Sequence, residues 1–379
     1  MKSNNFEYIP AVDQIQGFAA IWIVIYHYFF IGSHQLKLGS LFTASTPLSA
    51  YLSYTFNPFY SVIASGHTAV SLFMVLSGFI FAYGASDRDV SYLGFLRNRI
   101  LRVYPLWVVL IFFGVFTTQT PVTLVTLIEA LLPIGLRSAA APWTPFIAMH
   151  WSLVLEFQFY LVFPLLMAAS QKIGMQRLAF SVLGALIFLR LLASAFGADN
   201  LHLAYYTILG RADQLILGML LADFYKRGWP SKKLATYLLP VTVFVVILLM
   251  MIAMKKEWAG SKSWLVSFRM TIEGVIWVTL IGSYLRLADR APKFISNTLE
   301  KFGEISFSIY MLHISIIWVI CTKNLWIRLG FGVEIDLIFN FFILVLPWTL
   351  VLANLSYNAF EKPFLMLRTQ YLKPHTERS

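Results

Sequence analysis

The chain has 379 residues, of which 59% are hydrophobic and only 12% charged. Soluble globular proteins carry about 25% charged residues, so this composition excludes an ordinary cytosolic domain, a disordered chain and a disulfide scaffold. The single cysteine, Cys321, excludes an intrachain disulfide, and the excess of 29 Lys and Arg over 18 Asp and Glu reads as loops facing anionic lipid rather than as a nucleic-acid surface.

A membrane helix needs about 20 mostly apolar residues. Ten such runs follow in chain order, at roughly 14–32, 67–84, 103–119, 150–170, 178–196, 207–225, 234–254, 264–285, 303–322 and 335–360. The last contains Pro347, which predicts a kink. The stretch 120–149 is different: Thr123–Leu136 is apolar but short, carries Glu129 and is flanked by Pro121 and Pro142, so it reads as a re-entrant or interfacial segment.

With the N-terminus in the cytoplasm and ten alternating spans, 19 Lys and Arg fall inside. Outside fall Lys37, Arg137, Lys255, Lys256, Lys262, Lys323 and Arg328, while Arg190, Arg211 and Arg269 lie within spans. This bias follows the positive-inside rule and puts both termini in the cytoplasm; a full span at 120–149 would invert every later loop and spoil it. The expectation is an all-α integral membrane protein with one domain over 1–379, its spans within 14–360 and a short cytoplasmic tail at 361–379. Neither a cleavable signal nor an internal repeat is evident.

Ionisable side chains inside a bilayer cost at least ~2.5–3.5 kcal/mol at mid-helix, so they mark sites or pairs. At 1.5 Å per residue, His27 lies about 7–8 Å from the outer end of the first span and Glu156 about 9 Å from that of the fourth. Arg211 and Asp213 occupy the first outer turns of the sixth span, and Arg269 and Glu273 the outer half of the eighth. Four helices thus present ionisable groups at one depth.

On the first span Asp13, Gln16, Ala20, Val24 and His27 share a face, a polar stripe rising from the inner surface. On the fourth, Ser152, Glu156 and Tyr160 recur at i, i+4, i+8. A buried carboxylate there can orient an imidazole, or equally serve as a structural partner of Arg211 or Arg269. Arg269 and Glu273, at i, i+4, can pair with each other, and Arg190 has no evident partner. Arg99 and Arg102, at i, i+3, reach one anion together, and guanidinium groups suit phosphate; basic residues at an inner helix end are also ordinary orientation signals. His67 and His150 begin spans on the outer side, His313 lies deeper, and His34, His202 and His375 fall in loops or the tail. No CxxC, HExxH, GxSxG or phosphate-loop pattern appears, no metal is expected, and the glycine of "LSGF" reads as a helix-packing position.

Seven stretches in order carry a resemblance. "AVDQIQGFAAIWIVIYH", "SLFMVLSGFIFAY", "RNRILRVYPLW", "WSLVLEFQFYLVFPLL", "GRADQLILGMLLA", "ISFSIYMLH" and "EKPF" resemble the motifs of the acyltransferase 3 family, over almost the whole chain. The resemblance implies a multispan enzyme that moves acyl groups, commonly acetyl from acetyl-CoA, onto extracytoplasmic glycans. It implies that His27 is the essential histidine, that Arg99 and Arg102 form the RxxR donor-binding pair, and that Ser152, Glu156 and Tyr160 form the SLxxExxxY site. Two positions depart from the pattern: Gln16 stands where the family has Arg or Lys, and Phe157 replaces a second glutamate. The form is the stand-alone one, without an esterase-like domain.

The reading is therefore an O-acyltransferase of the bacterial cytoplasmic (inner) membrane. Acyl-CoA is the donor substrate, with no permanently bound cofactor, and a glycan or lipid-linked saccharide is the acceptor. His27 acts as general base, with Glu156 holding its tautomer. Arg99, Arg102 and Gln16 bind the donor, and Asp13, Ser152, Tyr160, Arg211, Arg269 and Glu273 support the site. The alternative is a proton-coupled transporter using the same buried groups, which would ignore CoA.

Overall fold

The computed structural model describes Asn5 and residues 7–35, 58–118, 121–133, 144–255 and 264–374. Lys2, Lys37, Arg137, Pro142, Lys256, Lys262, His375 and Arg378, used in the charge count or the loop readings above, lie outside the described residues.

All ten apolar segments fall on helices. In chain order these are α1 (Pro10–Gln35), the short α2 (Pro58–Ala64), α3 (Ala69–Ala85), α4 (Tyr92–Thr117), the short α5 (Leu124–Leu131), α6 (His150–Ile173), α7 (Met175–Ala195), the short α8 (Asn200–Tyr206), α9 (Ile208–Lys226), α10 (Lys232–Lys255) and α11 (Val266–Leu287). Next come α12 (Lys293–Glu304) and α13 (Ser306–Thr322), then α14 (Val333–Asn340), α15 (Leu346–Ser356) and α16 (Lys362–Leu365). Among the described residues, eight helices are long and apolar enough to cross a membrane, and α12 with α13, bent by 75°, makes a ninth candidate. The remaining predicted span, α9, carries Arg211, Asp213 and Asp223. It is nevertheless well buried, with almost every side chain from Gly210 to Ala222 inside the bundle.

The stretch 120–149 forms no span among its described residues. The eight-residue α5 hangs on α4, where Trp107 Nε1 donates to Ala130 O at 2.9 Å and Tyr104 OH to Leu131 O at 2.9 Å. The predicted break near Pro347 takes the form of a π turn at Phe341–Val345 just before α15. Proline offers no N–H and crowds the preceding turn, so the ladder widens there. A second π turn, Tyr357–Glu361, precedes Pro363 and turns both of its end residues inward.

Glycines set two close crossings. A Cβ on Gly78 would lie 2.0 Å from Leu215 O, and one on Gly218 2.0 Å from Val75 O, so α3 and α9 touch backbone to backbone. Gly17 and Gly303 do the same for α1 and α12, against Leu299 O at 2.1 Å and Asp13 O at 2.0 Å. Small residues allow this approach where lipid supplies no hydrophobic drive between helices. The start and end of the described chain share a face. Tyr371 N donates to Asn5 Oδ1 at 2.8 Å, Asn98 Nδ2 donates to Thr369 O at 2.7 Å, and β1 (Arg88–Val90) pairs antiparallel with β2 (Leu372–Pro374). Below, "inner" means this face.

Candidate active site

Between α1, α3, α4, α6 and α13 lies a cavity of about 280 Å³. Its lining on α3 runs from Tyr83 to Val70, a rise of ~20 Å at 1.5 Å per residue. It therefore enters at the inner face and passes the middle of a ~30 Å hydrocarbon layer. Seven of the expected residues line it: Asp13, Gln16, Arg99, Arg102, Ser152, Glu156 and Tyr160. Four lie outside it: His27, Arg211, Arg269 and Glu273.

At the inner mouth three arginines converge. Arg99 sits over the rings of Phe81 and Phe95, 4.8 and 5.5 Å from their centroids, and its Nε is buried without a partner. Arg102 is 3.3 Å from the fully buried carboxylate of Glu361, which also accepts a hydrogen bond from Ser308. That is the structural use of the "EKPF" stretch. The third is Arg368, just beyond α16, which lines the cavity and bonds only its own Leu365 carbonyl among the described residues. Burial, and then the charges of Arg102 and Arg99, pull its guanidinium down to about 10. Three cations against two carboxylates, Glu361 and Glu156, leave this wall positive. On the opposite side Asp13 accepts from Tyr8 OH at 2.8 Å, and Glu304 accepts from Tyr357 OH at 3.1 Å.

Halfway up, Glu156 meets Tyr160, Ser77, Arg99 and Arg102. This corrects two expectations. Glu156 is not the partner of Arg211 or Arg269, and it is not the group that holds His27. The helix geometry explains why: Ser152, Glu156 and Tyr160 do share a face, but that face looks down the cavity toward the arginines. Phe157, in place of a second acid, packs between Tyr104 and Tyr160 with centroids 5.4 Å from each.

At the deep end Tyr310 OH donates to Ser152 Oγ at 2.8 Å, and Ser152 donates to Met149 O at 2.9 Å. One turn beyond Tyr310 on α13, His313 reaches α1. Its Nε2 lies 3.0 Å from His27 Nδ1, which is also 3.1 Å from Ile23 O. Sequence reasoning noted the depth of His313 but not this contact. The signal available was the i, i+3 spacing of Tyr310 and His313 in "ISFSIYMLH".

The outer ionisable groups divide. Arg190 and Asp213, only 1% and 0% exposed, form an ion pair at 3.1 Å that Thr271 closes, donating to Asp213 at 2.6 Å; this supplies the partner that Arg190 lacked in the sequence. Arg211 donates to Ser71 Oγ at 2.7 Å and stacks over Tyr205 at 4.3 Å. Arg269 and Glu273 form no ion pair with each other among the described residues, and Glu273 Oε1 is buried without a partner. Rings run outward from His27 through Tyr26, His67 and Tyr205 to Trp151, with successive centroids 4.8, 5.6, 6.2 and 5.3 Å apart. Among the described residues no three His, Cys, Asp or Glu side chains are grouped to hold a metal ion.

The site is thus a cavity in a helical membrane bundle, with three arginines at its inner mouth and a histidine pair beyond its deep end. The comparisons with known proteins specify the class. The acyltransferase 3 family model, described as an acyltransferase domain, matches residues 9–354, and the chain belongs to that family. It is similar to the "Acyltransferase MdmB" of Streptomyces mycarofaciens, 27% identical over 66% of this chain and 68% of that protein. It is also similar to the "Putative peptidoglycan O-acetyltransferase YrhL" of Bacillus subtilis (strain 168), 24% identical over all of this chain and 57% of that protein. The chain thus spans little more than half of the second relative's length. No solved structure matches it. Family membership decides for acyl transfer over the transporter alternative.

Proposed function

We propose that this protein transfers acetyl from acetyl-CoA, bound from the cytoplasmic side, to a hydroxyl of an extracytoplasmic glycan or lipid-linked saccharide at a bacterial inner membrane. The observation that carries the reading is the single cavity that joins three arginines at the inner mouth to Ser152 and Tyr310 beside the histidine pair.

In this reading the phosphates of CoA rest on Arg99, Arg368 and the shared charge of Arg102, as charge-assisted hydrogen bonds. The pantetheine arm climbs past Gln16, Glu156 and Tyr160, whose polar atoms take its amide groups. The thioester reaches the deep end. His27, half-buried on the outer side of that end, removes the acceptor's hydroxyl proton. The oxygen attacks the thioester carbon, the C–S bond breaks, and the proton passes from the imidazolium to the departing thiolate. The outward run of aromatic rings suits a sugar, which presents C–H faces to them.

The test is mass spectrometry of cell-surface glycans from cells making the wild-type protein or His27→Ala at equal level in the membrane. Acetyl groups present with the wild type and absent with the variant are expected. Equal acetylation by a well-expressed His27→Ala would remove the catalytic role of His27.

A further inference from the structure

His313 is fully buried, at 0% exposure, so it cannot meet a substrate. Its ring nevertheless engages with both nitrogens. Nδ1 lies 3.2 Å from Ile309 O, and Nε2 lies 3.0 Å from Nδ1 of His27. A neutral imidazole carries one N–H and one lone pair, so of the four tautomer combinations only two give a hydrogen bond between the rings.

In one, His313 donates from Nε2 to His27 Nδ1. The Nδ1 lone pairs of both rings would then face carbonyl oxygens, Ile309 O from His313 and Ile23 O from His27. Both contacts would be repulsive. In the other, His313 Nδ1–H donates to Ile309 O, and His27 Nδ1–H is shared between His313 Nε2 and Ile23 O. Every contact is then donor to acceptor. This arrangement wins by two hydrogen bonds, and it leaves the lone pair of His27 on Nε2, the nitrogen without a partner among the described residues.

We infer that His313 is the positioning residue of the acyl transfer. It fixes His27 as the Nδ1–H tautomer, so that Nε2 is the base, and it keeps accepting the Nδ1–H hydrogen bond when Nε2 takes the acceptor's proton. The inference rests on the acyl-transfer reading above and deepens it. It fills, with a neutral ring, the place for which the sequence suggested Glu156. Rigidity supports the role: Val24 and Tyr28 of α1 and Ile309, Ile316 and Ile317 of α13 are all buried in one core cluster around the pair.

The experiment measures thiol release from acetyl-CoA by membranes containing the full chain, with His313→Leu, His313→Gln and His27→Ala. CoA binding to each purified variant is the check on folding. Losing a hydrogen bond to a charged group costs roughly ten- to a hundredfold. His313→Leu is therefore expected to lose that much in kcat, with KM for acetyl-CoA unchanged. His313→Gln, whose Oε1 can accept from His27 Nδ1–H, should stay within about tenfold of wild type. Wild-type kcat in His313→Leu beside an inactive His27→Ala would overturn the inference and leave the acyl-transfer reading standing. So would equal losses in Leu and Gln variants that still bind CoA. An active His27→Ala would overturn the reading itself.

Discussion

The crossing of α3 and α9 admits a test with an internal control. In Gly78→Ala the new Cβ would stand 2.0 Å from Leu215 O, 2.8 Å from Leu215 C and 3.1 Å from its Cα, all backbone atoms that no rotamer change can move. Side chains essentially never come closer than 3.0 Å, so the helices must part by about 1 Å. A gap of that size forfeits a quarter to half of each dispersion contact across the seam, and overpacking of this kind costs ~1–3 kcal/mol. The same movement strains the Arg211–Ser71 bond, 2.7 Å long and spanning the crossing. Gly184 is the control: it lies in the interior of α7 with nothing within 4 Å of its would-be Cβ, where Ala favours a helix by ~0.5–1 kcal/mol. Thermal unfolding of the full chain in one detergent should therefore move in opposite directions, down by several degrees for Gly78→Ala and level or up for Gly184→Ala. Equal midpoints for Gly78→Ala and wild type would refute the tight-crossing argument.

Arg99→Ala and Arg368→Ala should each weaken CoA binding roughly ten- to a hundredfold, at ~1.5–3 kcal/mol per charge-assisted bond, and Arg102→Ala by less, because Glu361 already shares its charge; isotherms with CoA and dephospho-CoA measure this, and unchanged affinity in all three would leave them as topology signals. Arg368 titrates near 10, so its help in binding an anion is complete at neutral pH and fades as pH rises through that value. Comparing CoA affinity across pH 8 to 11 in wild type and Arg368→Ala isolates that part, and identical profiles would count against it. Gln16→Arg is expected to express normally and bind acetyl-CoA more tightly, because Gln16 lines the cavity and is not sealed in the core. Loss of both yield and activity would show that this site is built around the amide.

The spans were legible because a 20-residue apolar run has one solution in lipid. The helix at α9, the most charged of the ten runs, was legible too, but it is not among the helices apolar enough to count as a span by length and composition. Motif spacing also served well: the i, i+4 ladder of Ser152, Glu156 and Tyr160 is one wall of the cavity. What spacing within a helix cannot convey is which neighbour that wall faces. Equal depth suggested Glu156 beside His27, but depth leaves the azimuth of each helix undetermined, and α13 rather than α6 turns a side chain to the histidine. Arg368 was hidden differently. It lies in a short segment after the last span that looks like a tail, and long-range contacts such as the pairing of Asn98 with Thr369 bring it under the arginines of α4.

That pairing joins residues 271 positions apart, and it has a consequence for how the enzyme is made. The inner mouth is a seam closed by segments from opposite ends of the fold. Arg99 and Arg102 enter the membrane early, whereas Glu361 and Arg368 arrive only after the final helix is in place. Until then Arg102 lacks its counter-charge and the mouth lacks its third cation. A chain lacking its last segment thus keeps two of the three arginines but not a closed inner mouth.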